Sequence, residues 1–474
     1  MVRPDKTIVK RFDSLKSHLE RENPVLIDAI GGFRKLDGIG YKTGLLETDD
    51  SYAMKISWWP LVSILGVFSA GKSSFINSYL GRTLQKTGNQ AVDDKFTVIC
   101  YGQENAGRVL PGLALDADMR FPFYRISEEI EKVTEGEGRR IDAYLQLKVT
   151  DSEVVRGKIL IDSPGFDADA QRTSTLKLTN HIMDISDLVL VFFDARHPEP
   201  GAMQDTLTHL VEETISRSDS NKFLFILNQI DSAAREDNTE EIVGAWQRAL
   251  SQKGLTAGRF YTIYNKDVAL PIDDDSRRER FESKRDADMA EIEDRIRQVE
   301  VERAYRIVGA MEKQAYTIRD NAIPAITRLK ALWASRVLKL DAGIIALLLA
   351  AIAGVAALTG SLGALLSLVL SLFADPVAML AIILAVAVLL LIVHFLARKT
   401  VANYMASRLP GTEDEPFSNA FRYNTRFFRS LFRKSPVGWN GSARKAVDEV
   451  IEQASEFVES LNDQFTNPSG NPRD

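Results

Sequence analysis

The chain has 474 residues, 45% hydrophobic and 26% charged, enough for a folded domain with its own core and at least one further module, and too apolar for an intrinsically disordered protein. Its 59 Lys and Arg against 65 Asp and Glu leave a formal charge of −6, which argues against a general electrostatic binder of nucleic acid. Cys100 is the only cysteine, which excludes an internal disulfide framework and a cysteine-rich metal site.

The N-terminus lacks the apolar core and cleavage pattern of a signal peptide, so the first half of the chain is expected in the cytosol. Ile8, Phe12, Leu15 and Leu19 recur at helical spacing. A second helical stretch, Val25, Leu26, Ile27, Ile30, Phe33 and Leu36, is interrupted by Gly31 and Gly32. Residues 1–57 are therefore expected to be helical and to pack on a stalk.

From about Trp58, short apolar runs alternate with amphipathic stretches. Seven runs read as strands: 61–67, 96–102, 143–149, 158–164, 187–195, 222–229 and 259–265. Continuous apolar strands suit a mostly parallel sheet covered on both faces. Helical stretches such as Ser73–Leu80 and Met203–Ile215 complete the βαβ units. Residues 58–270 are thus expected to form an α/β domain.

Residues 271–340 read as a helical stalk. Met289, Ile292, Ile296, Val299, Ile307, Met311 and Ala315 follow helical spacing and imply a long amphipathic helix packing on another helix, with a break or kink at Pro324. Ile344 to Phe373 carries no charge, and Val377 to Leu396 carries none except at His394. About 20 apolar helical residues cross a bilayer. Residues 341–400 are therefore expected to form a transmembrane hairpin that turns at Ala374-Asp375-Pro376. Lys330, Arg336 and Lys339 before it, with Arg398 and Lys399 after it, place both outer ends on the cytoplasmic side.

Residues 401–474 are expected to hold amphipathic helices. In Phe421–Lys434, Arg422, Arg426, Arg429 and Arg433 fall at helical spacing among Phe421, Phe428, Leu431 and Phe432. Two readings fit this segment: a helix lying on an anionic membrane surface, or one packed on residues 271–340. Ala443–Phe465 reads as a further amphipathic helix, and the end of the chain as frayed.

The chemistry is concentrated in three motifs, each at the end of a predicted strand. Gly66-Val67-Phe68-Ser69-Ala70-Gly71-Lys72-Ser73 matches G-x-x-x-x-G-K-[ST] between a strand and a helix. Its glycines let backbone N–H groups from Ser69, Ala70, Gly71, Lys72, Ser73 and Ser74 wrap a phosphate at a helix N-terminus. Lys72 is expected to reach the β- and γ-phosphates, and the Ser73 hydroxyl to ligate Mg²⁺. Asp162-Ser163-Pro164-Gly165 follows an apolar run; Asp162 suits the Mg²⁺ shell and the Gly165 amide the γ-phosphate. Asn228-Gln229-Ile230-Asp231 ends a third strand. The Asp231 carboxylate can accept two hydrogen bonds from guanine, at N1–H and the 2-amino group, and Asn228 can brace the loop. His181, His197 and His209 show no ligand spacing and read as ordinary surface or helix residues, and Glu199, Asp205 and Glu212 as parts of solvated faces.

On residues 66–81, 93–102, 160–167, 187–195 and 227–231, the chain resembles the dynamin superfamily of GTPases. It is close to bacterial dynamin-like proteins and to the EH-domain-containing membrane-remodelling ATPases. The resemblance implies a P-loop G domain with a helical stalk. It also implies GTP hydrolysis with Mg²⁺, homo-oligomerisation through the G domain, and remodelling of a lipid bilayer, with the bacterial inner membrane as the expected location. Lys72, Ser73 and Asp162 would carry catalysis. Four departures stand out. Gln90-Ala91-Val92-Asp93-Asp94 lies where relatives carry a switch Thr, with Thr87 or Thr97 as substitutes. Phe68 precedes Ser69 where dynamins often place Gln. Gln229 replaces the usual Lys. The EH-domain relatives use ATP on a similar motif, so ATP hydrolysis is one alternative, and a nucleotide-binding membrane scaffold with negligible hydrolysis is another.

Overall fold

The computed structural model describes residues 4–22, 26–88, 95–104, 106–118, 121, 123, 126–133, 136–165, 173–197, 220–234, 239–255, 258–269, 271, 272, 274–361, 363, 364, 367, 376–409 and 417–465. The chain divides into two compact units. One comprises Ser17–Leu26 and Met54–Ile307; the other comprises Met1–Lys16, Ile27–Ala53 and Val308–Asp474.

The first unit is built on an eight-stranded sheet. Its strands are β1 Leu61–Gly66, β2 Phe96–Tyr101, β3 Val109–Pro111, β4 Leu145–Thr150, β5 Ile159–Asp162, β6 Leu188–Asp194, β7 Phe223–Asn228 and β8 Arg259–Thr262. They lie in the order β3-β4-β2-β5-β1-β6-β7-β8. The seven expected strands are all present. The eighth, β3, is not among the expected runs: Val109-Leu110-Pro111 is apolar but only three residues long and ends in proline, all its residues are exposed, and it pairs antiparallel at the edge of the sheet. The β2–β5 pair is also antiparallel and the other pairs are parallel, so the sheet is mixed but mostly parallel.

Side chains alternate across β6 because successive residues of a strand face opposite ways. Leu188, Leu190 and Phe192 join one core with Val62 and Ile64 of β1, and with Phe75 and Ile76 of helix Lys72–Leu80. Val189, Val191 and Phe193 join another with Phe225, Trp246 and Leu250. Both faces are covered, which explains the unbroken apolar runs.

The long helix Asp275–Tyr316 meets more than the expected helix. Ile292, Ile296 and Val299 share a core with the strands of the β1–β6 face and with Phe75 and Ile76 of helix Lys72–Leu80, while Met311 further along lies against Gly32 of helix Ile27–Thr43. That face would otherwise leave Val62, Leu188 and Leu224 in water. A buried ion pair fixes the same helix. Asp187, fully buried at the entry to β6, accepts the Leu61 amide at 2.9 Å, Arg303 Nη1 at 3.0 Å and Arg306 Nη1 at 2.6 Å. The expected helix Met203–Ile215 lies outside the described residues, as do His209, Glu199, Asp205 and Glu212.

In the second unit, α2 (Ile27–Thr43) runs straight through Gly31 and Gly32. At Gly32 the Met311 side chain lies so close that a Cβ would displace its sulfur. Nor does the helix break at Pro324. A π-helical turn, Thr317–Ala322, precedes helix Ile323–Leu358, and Pro324 falls in that helix's first turn. Proline lacks an N–H and crowds the carbonyl four residues back, and the wider turn relieves both.

Helices Ile323–Leu358 and Pro376–Ala406 are long and apolar enough to cross a membrane. Only 6% and 0% of their apolar windows are buried, which is not the pattern of core helices in a soluble protein. They meet at their charged ends. Trp333 Nε1 donates to the Arg398 carbonyl at 3.2 Å, and His394 Nδ1 lies 2.7 Å from Asp341 Oδ2. Residues 362, 365, 366 and 368–375, with the expected turn at Ala374-Asp375, lie outside the described residues.

The arginine spacing in Phe421–Lys434 does not extend one helix. The helix Phe417–Asn424 stops at Asn424, and turns follow. Phe421 and Leu431 are buried with Trp333, Val337, Ala402 and Met405. The last helix is Gly441–Phe465, and the chain end beyond it lies outside the described residues.

Burial pushes the Arg303 guanidinium down from its ordinary pKa, and Asp187 opposes that shift. Removing the carboxylate leaves a buried cation without its counter-charge. Asp187→Ala should therefore destabilise the first unit by about 3–5 kcal/mol. Adding Arg303→Met should recover part of the loss. Denaturant midpoints of the single and double variants measure both.

Candidate functional site

Strands β1, β5, β6, β7 and β8 end at the same edge of the sheet: β5 and β6 flank β1, and all five run parallel. Gly66, Asp162, Asp194 and Asn228 are their last residues, and Ile263 follows the last residue of β8. Such an edge is where α/β sheets bind ligands. A cleft of 320 Å³ opens there. Ser69, Gly71, Lys72, Ser73, Ser74, Asp162, Gly165, Asn228 and Asp231 all line it. Motifs far apart in sequence therefore meet in one site. Of the expected residues, Gly66 and Ala70 shape the loop beneath the cleft and do not line it.

The loop from β1 to helix α3 (Lys72–Leu80) has an unusual backbone. Gly66 has φ 151° and Gly71 φ 82°. A Cβ on Gly66 would strike the Phe192 carbonyl, and one on Gly71 the Asn228 amide nitrogen. Ser69 is left-handed at φ 62° and Gln229 at φ 64°, conformations that cost a side-chain-bearing residue energy. Side chains from β6 and β7 hold the loop in place. Asn228 Nδ2 donates to the Ala70 carbonyl at 2.9 Å, Gln229 Nε2 to the Ser69 carbonyl at 2.6 Å, and Arg196 Nη2 to the Ser69 carbonyl at 3.3 Å. Arg196 is itself gripped by Asp194, with Nη2 to Oδ2 at 2.7 Å.

Lys72 is buried and donates to the Gly66 and Val67 carbonyls at 2.9 and 3.0 Å. Burial pulls its ammonium down to about 8, against the attraction of Asp162. Lys86, Arg196 and Arg285 also line the cleft, so cations predominate there. The Ser73 hydroxyl and the Asp162 carboxylate share the same wall. This oxygen donor pair suits a hard divalent ion such as Mg²⁺.

Gln85 is a member of the site that no motif announces. It is fully buried, and its Nε2 donates to Asp162 Oδ2 at 2.5 Å. Its Oε1 accepts from Lys148 on β4. Asn77 on α3 clamps the backbone at this point. Asn77 Oδ1 accepts the Leu84 and Gln85 amides at 2.9 and 2.8 Å, and Asn77 Nδ2 donates to the Gln85 carbonyl at 2.8 Å. The phosphate-loop helix, the segment after it and Asp162 are thereby one network. Tyr264 and Asn265, just beyond β8, line the Asp231 end of the cleft and were also not singled out by motif. The only signal for Asn265 is its place, like that of Asn228, at the end of a strand run.

Of the two candidate switch threonines, Thr87 lines the cleft. Thr97 does not: it is buried on β2, where it accepts a hydrogen bond from Gln146 at 2.7 Å. Gln90 to Asp94 lie outside the described residues.

Asn77→Ala removes three hydrogen bonds at once. Amide exchange at Leu84 and Gln85 should quicken at least tenfold, in line with a loss of about 1–3 kcal/mol of local protection. Exchange in β1 should be unchanged. Hydrogen-exchange mass spectrometry reads both.

Residues 62–230 match the family model described as the Dynamin family. No curated protein matches the chain. Among solved structures, a chain of an oligomerised bacterial dynamin pair is 14% identical with a TM-score of 0.32, covering 96% of this chain and 75% of that one. A bacterial dynamin GTPase, LeoA from ETEC, is 13% identical with a TM-score of 0.29, covering 96% of this chain and 68% of that one. These scores are too low to argue from, and the assignment rests on the family match together with the motif geometry. Residues 62–230 of this chain are a dynamin-family G domain.

Proposed function

We propose that this protein is a membrane-anchored GTPase that hydrolyses GTP to GDP and phosphate and couples the cycle to self-association and reshaping of a bilayer. One observation carries the proposal. The phosphate loop, Asp162-Gly165 and Asn228-Asp231 line a single cleft at the ends of parallel strands. The distance between these motifs in the sequence makes their convergence on unrelated business improbable. The apolar helix pair supports the anchor.

In this proposal the loop amides around Ser69–Ser74 take the β- and γ-phosphates at the start of α3. Lys72 gives up the Gly66 and Val67 carbonyls and turns its charge to the phosphates. Ser73 and Asp162 hold Mg²⁺, which when bound neutralises charge on the phosphate oxygens. Water attacks the γ-phosphorus, the bond to the β–γ bridging oxygen breaks with GDP as leaving group, the water's proton passes to the phosphate formed or to solvent, and the Gly165 amide stabilises the transferred phosphoryl group. Phe68 cannot orient that water, so a group from a second G domain across the nucleotide face completes the site. Asp231 reads guanine. Both outer ends of the hairpin face the cytoplasm, by the basic residues that flank it, and a bacterial inner membrane fits that topology.

Phosphate release tests the proposal. Wild type should turn over GTP well above ATP, and Lys72→Ala should fall to background. Equal rates for wild type and Lys72→Ala would favour a non-hydrolysing scaffold, and ATP preference would favour the ATPase alternative. Asp231→Asn should exchange specificity: an amide offers one donor and one acceptor, matching the N1–H and C2 carbonyl of xanthine. GTP affinity should fall about tenfold or more, the loss of one charge-assisted bond, while XTP gains.

The Lys72 shift sets a pH dependence. In the free protein its ammonium titrates near 8, and polyphosphate binding raises that value toward the ordinary 10.5. Binding should therefore take up a proton above pH 8, and affinity should fall as pH rises from there. Below pH 8 Lys72 is charged in both states and contributes no slope. Calorimetry in buffers of different ionisation enthalpy should show this uptake in wild type and not in Lys72→Met.

A further inference from the structure

The segment after helix Phe417–Asn424 is a closed loop with two faces. Asn424 fastens its base: Oδ1 accepts the Val437 amide at 2.7 Å, and Nδ2 donates to the Thr43 carbonyl at 2.9 Å. Leu431 is the inward face, buried beside Phe421 and Trp333. Lys330 Nζ donates to the Ser435 carbonyl at 3.0 Å, and Arg398 Nη2 donates to the Arg429 carbonyl. The loop is thus held on the charged ends of the two apolar helices.

The outward face is unlike an ordinary surface. Phe428 is 93% exposed, Phe432 80% and Phe427 56%. Arg426, Arg433 and Lys434 beside them are exposed as well. No Asp or Glu occurs between Phe417 and Val447. A soluble surface rarely shows three exposed phenylalanines beside one another.

The position of the loop says what covers this face. Phe427 stacks on Phe395, with centroids 4.0 Å apart, and Phe395 lies at the end of the run Val377–Leu396 that carries no Asp, Glu, Lys or Arg. At the same level His394 meets Asp341, the last acidic residue before the other apolar run. The aromatic face is therefore continuous with the point where both helices change from charged to apolar.

We propose that loop 425–436 is an interfacial lipid-binding site for an anionic bilayer leaflet. Phe428 and Phe432 enter the acyl boundary, while Arg426, Arg433 and Lys434 take lipid phosphates and the negative surface charge. Each basic residue near such a surface is worth about fivefold in affinity, so the three together set a strong preference for anionic lipid. The proposal rests on the bilayer anchor proposed above and adds a headgroup preference that the hairpin by itself lacks.

The test uses the full chain with Cys100→Ser and Phe428→Cys, labelled with NBD. It is reconstituted in vesicles of phosphatidylcholine alone or with phosphatidylglycerol. Phosphatidylglycerol should shift NBD emission to the blue and expose it to quenching by acyl-chain nitroxides. Arg426→Glu with Arg433→Glu and Lys434→Glu should abolish this at least tenfold in lipid titrations, with an unchanged thermal melt. Aqueous emission in anionic vesicles from a chain that still resists carbonate extraction would overturn the loop site and leave the anchor standing. Lipid-dependent quenching in a chain that washes off would keep the loop site and remove the anchor. A blue shift that follows protein concentration and ignores lipid would assign the face to a second copy of the chain and overturn the proposal.

Discussion

A folded chain can hold a polyphosphate without large cost only where several backbone N–H groups converge with no Cβ in the way. In this protein that condition is met at the end of β1, and much of the first unit is arranged around it. Gly66 must lie against the Phe192 carbonyl and Gly71 against Asn228, so β6 and β7 have to flank or follow β1 in this order. Asn228, Gln229 and Arg196 then satisfy the Ala70 and Ser69 carbonyls, which the left-handed turn at Ser69 directs toward them. The Asn228–Asp231 loop and the loop Gly66–Lys72 are therefore mechanically joined. A change in the Asn228 loop is transmitted directly to the phosphate loop, with no relay needed.

The Asp162 side of the cleft is joined differently. Its carboxylate is reached by Gln85, whose other end is held by Lys148 and whose backbone is held by Asn77. Gln85 begins the stretch 85–97 expected to act as a switch, a few residues before Gln90–Asp94, where relatives carry the switch Thr. A ligand that draws Asp162 toward a cation must work against this network or reorganise it. Because Asn77 is on α3, the same reorganisation would be felt at the helix proposed to receive the phosphates. Phe68, which cannot position water, sits within contact distance of where a Gly165 Cβ would be. Its role on this geometry is to pack the two phosphate-facing turns together.

What was legible in the sequence followed from burial. β1, β5, β6 and β7 are buried at every position, so they read as apolar runs. The three motifs were legible because their chemistry demands fixed residue types at fixed spacing. β3 was illegible because three apolar residues ending in a proline, all exposed at a sheet edge, are too short a run to carry a strand signal. Gln85 was illegible because an amide has no local signature: its partners come from β4 and β5. The long helix was legible only in part. Its apolar stripe was correctly seen, but a stripe does not name every surface it meets: Ile292, Ile296 and Val299 join strand and helix residues in one core, and Met311 lies against Gly32. Gly31-Gly32 was read as an interruption because local propensity is all that a sequence displays, and close packing by Met311 explains the small residue instead. At Pro324 the irregularity is a π turn in the six residues before helix Ile323–Leu358, not a break.

The arginines of the tail make the same point for function. Their regular spacing invited a helix, yet the helix ends at Asn424, where one side chain caps it and also ties the returning strand of the loop through Val437. Ending the helix there is what divides the phenylalanines. On a continuing helix, Phe428 and Leu431 would share a face, three residues apart. With the loop, Leu431 is buried while Phe428 and Phe432 face outward. A buried anchor and an exposed aromatic pair within a few residues require an abrupt change of backbone direction, and the Asn424 hydrogen bonds supply it. The reading of this segment as packed against residues 271–340 holds for one face of the loop, and that packing leaves the other face exposed for the membrane contact proposed above.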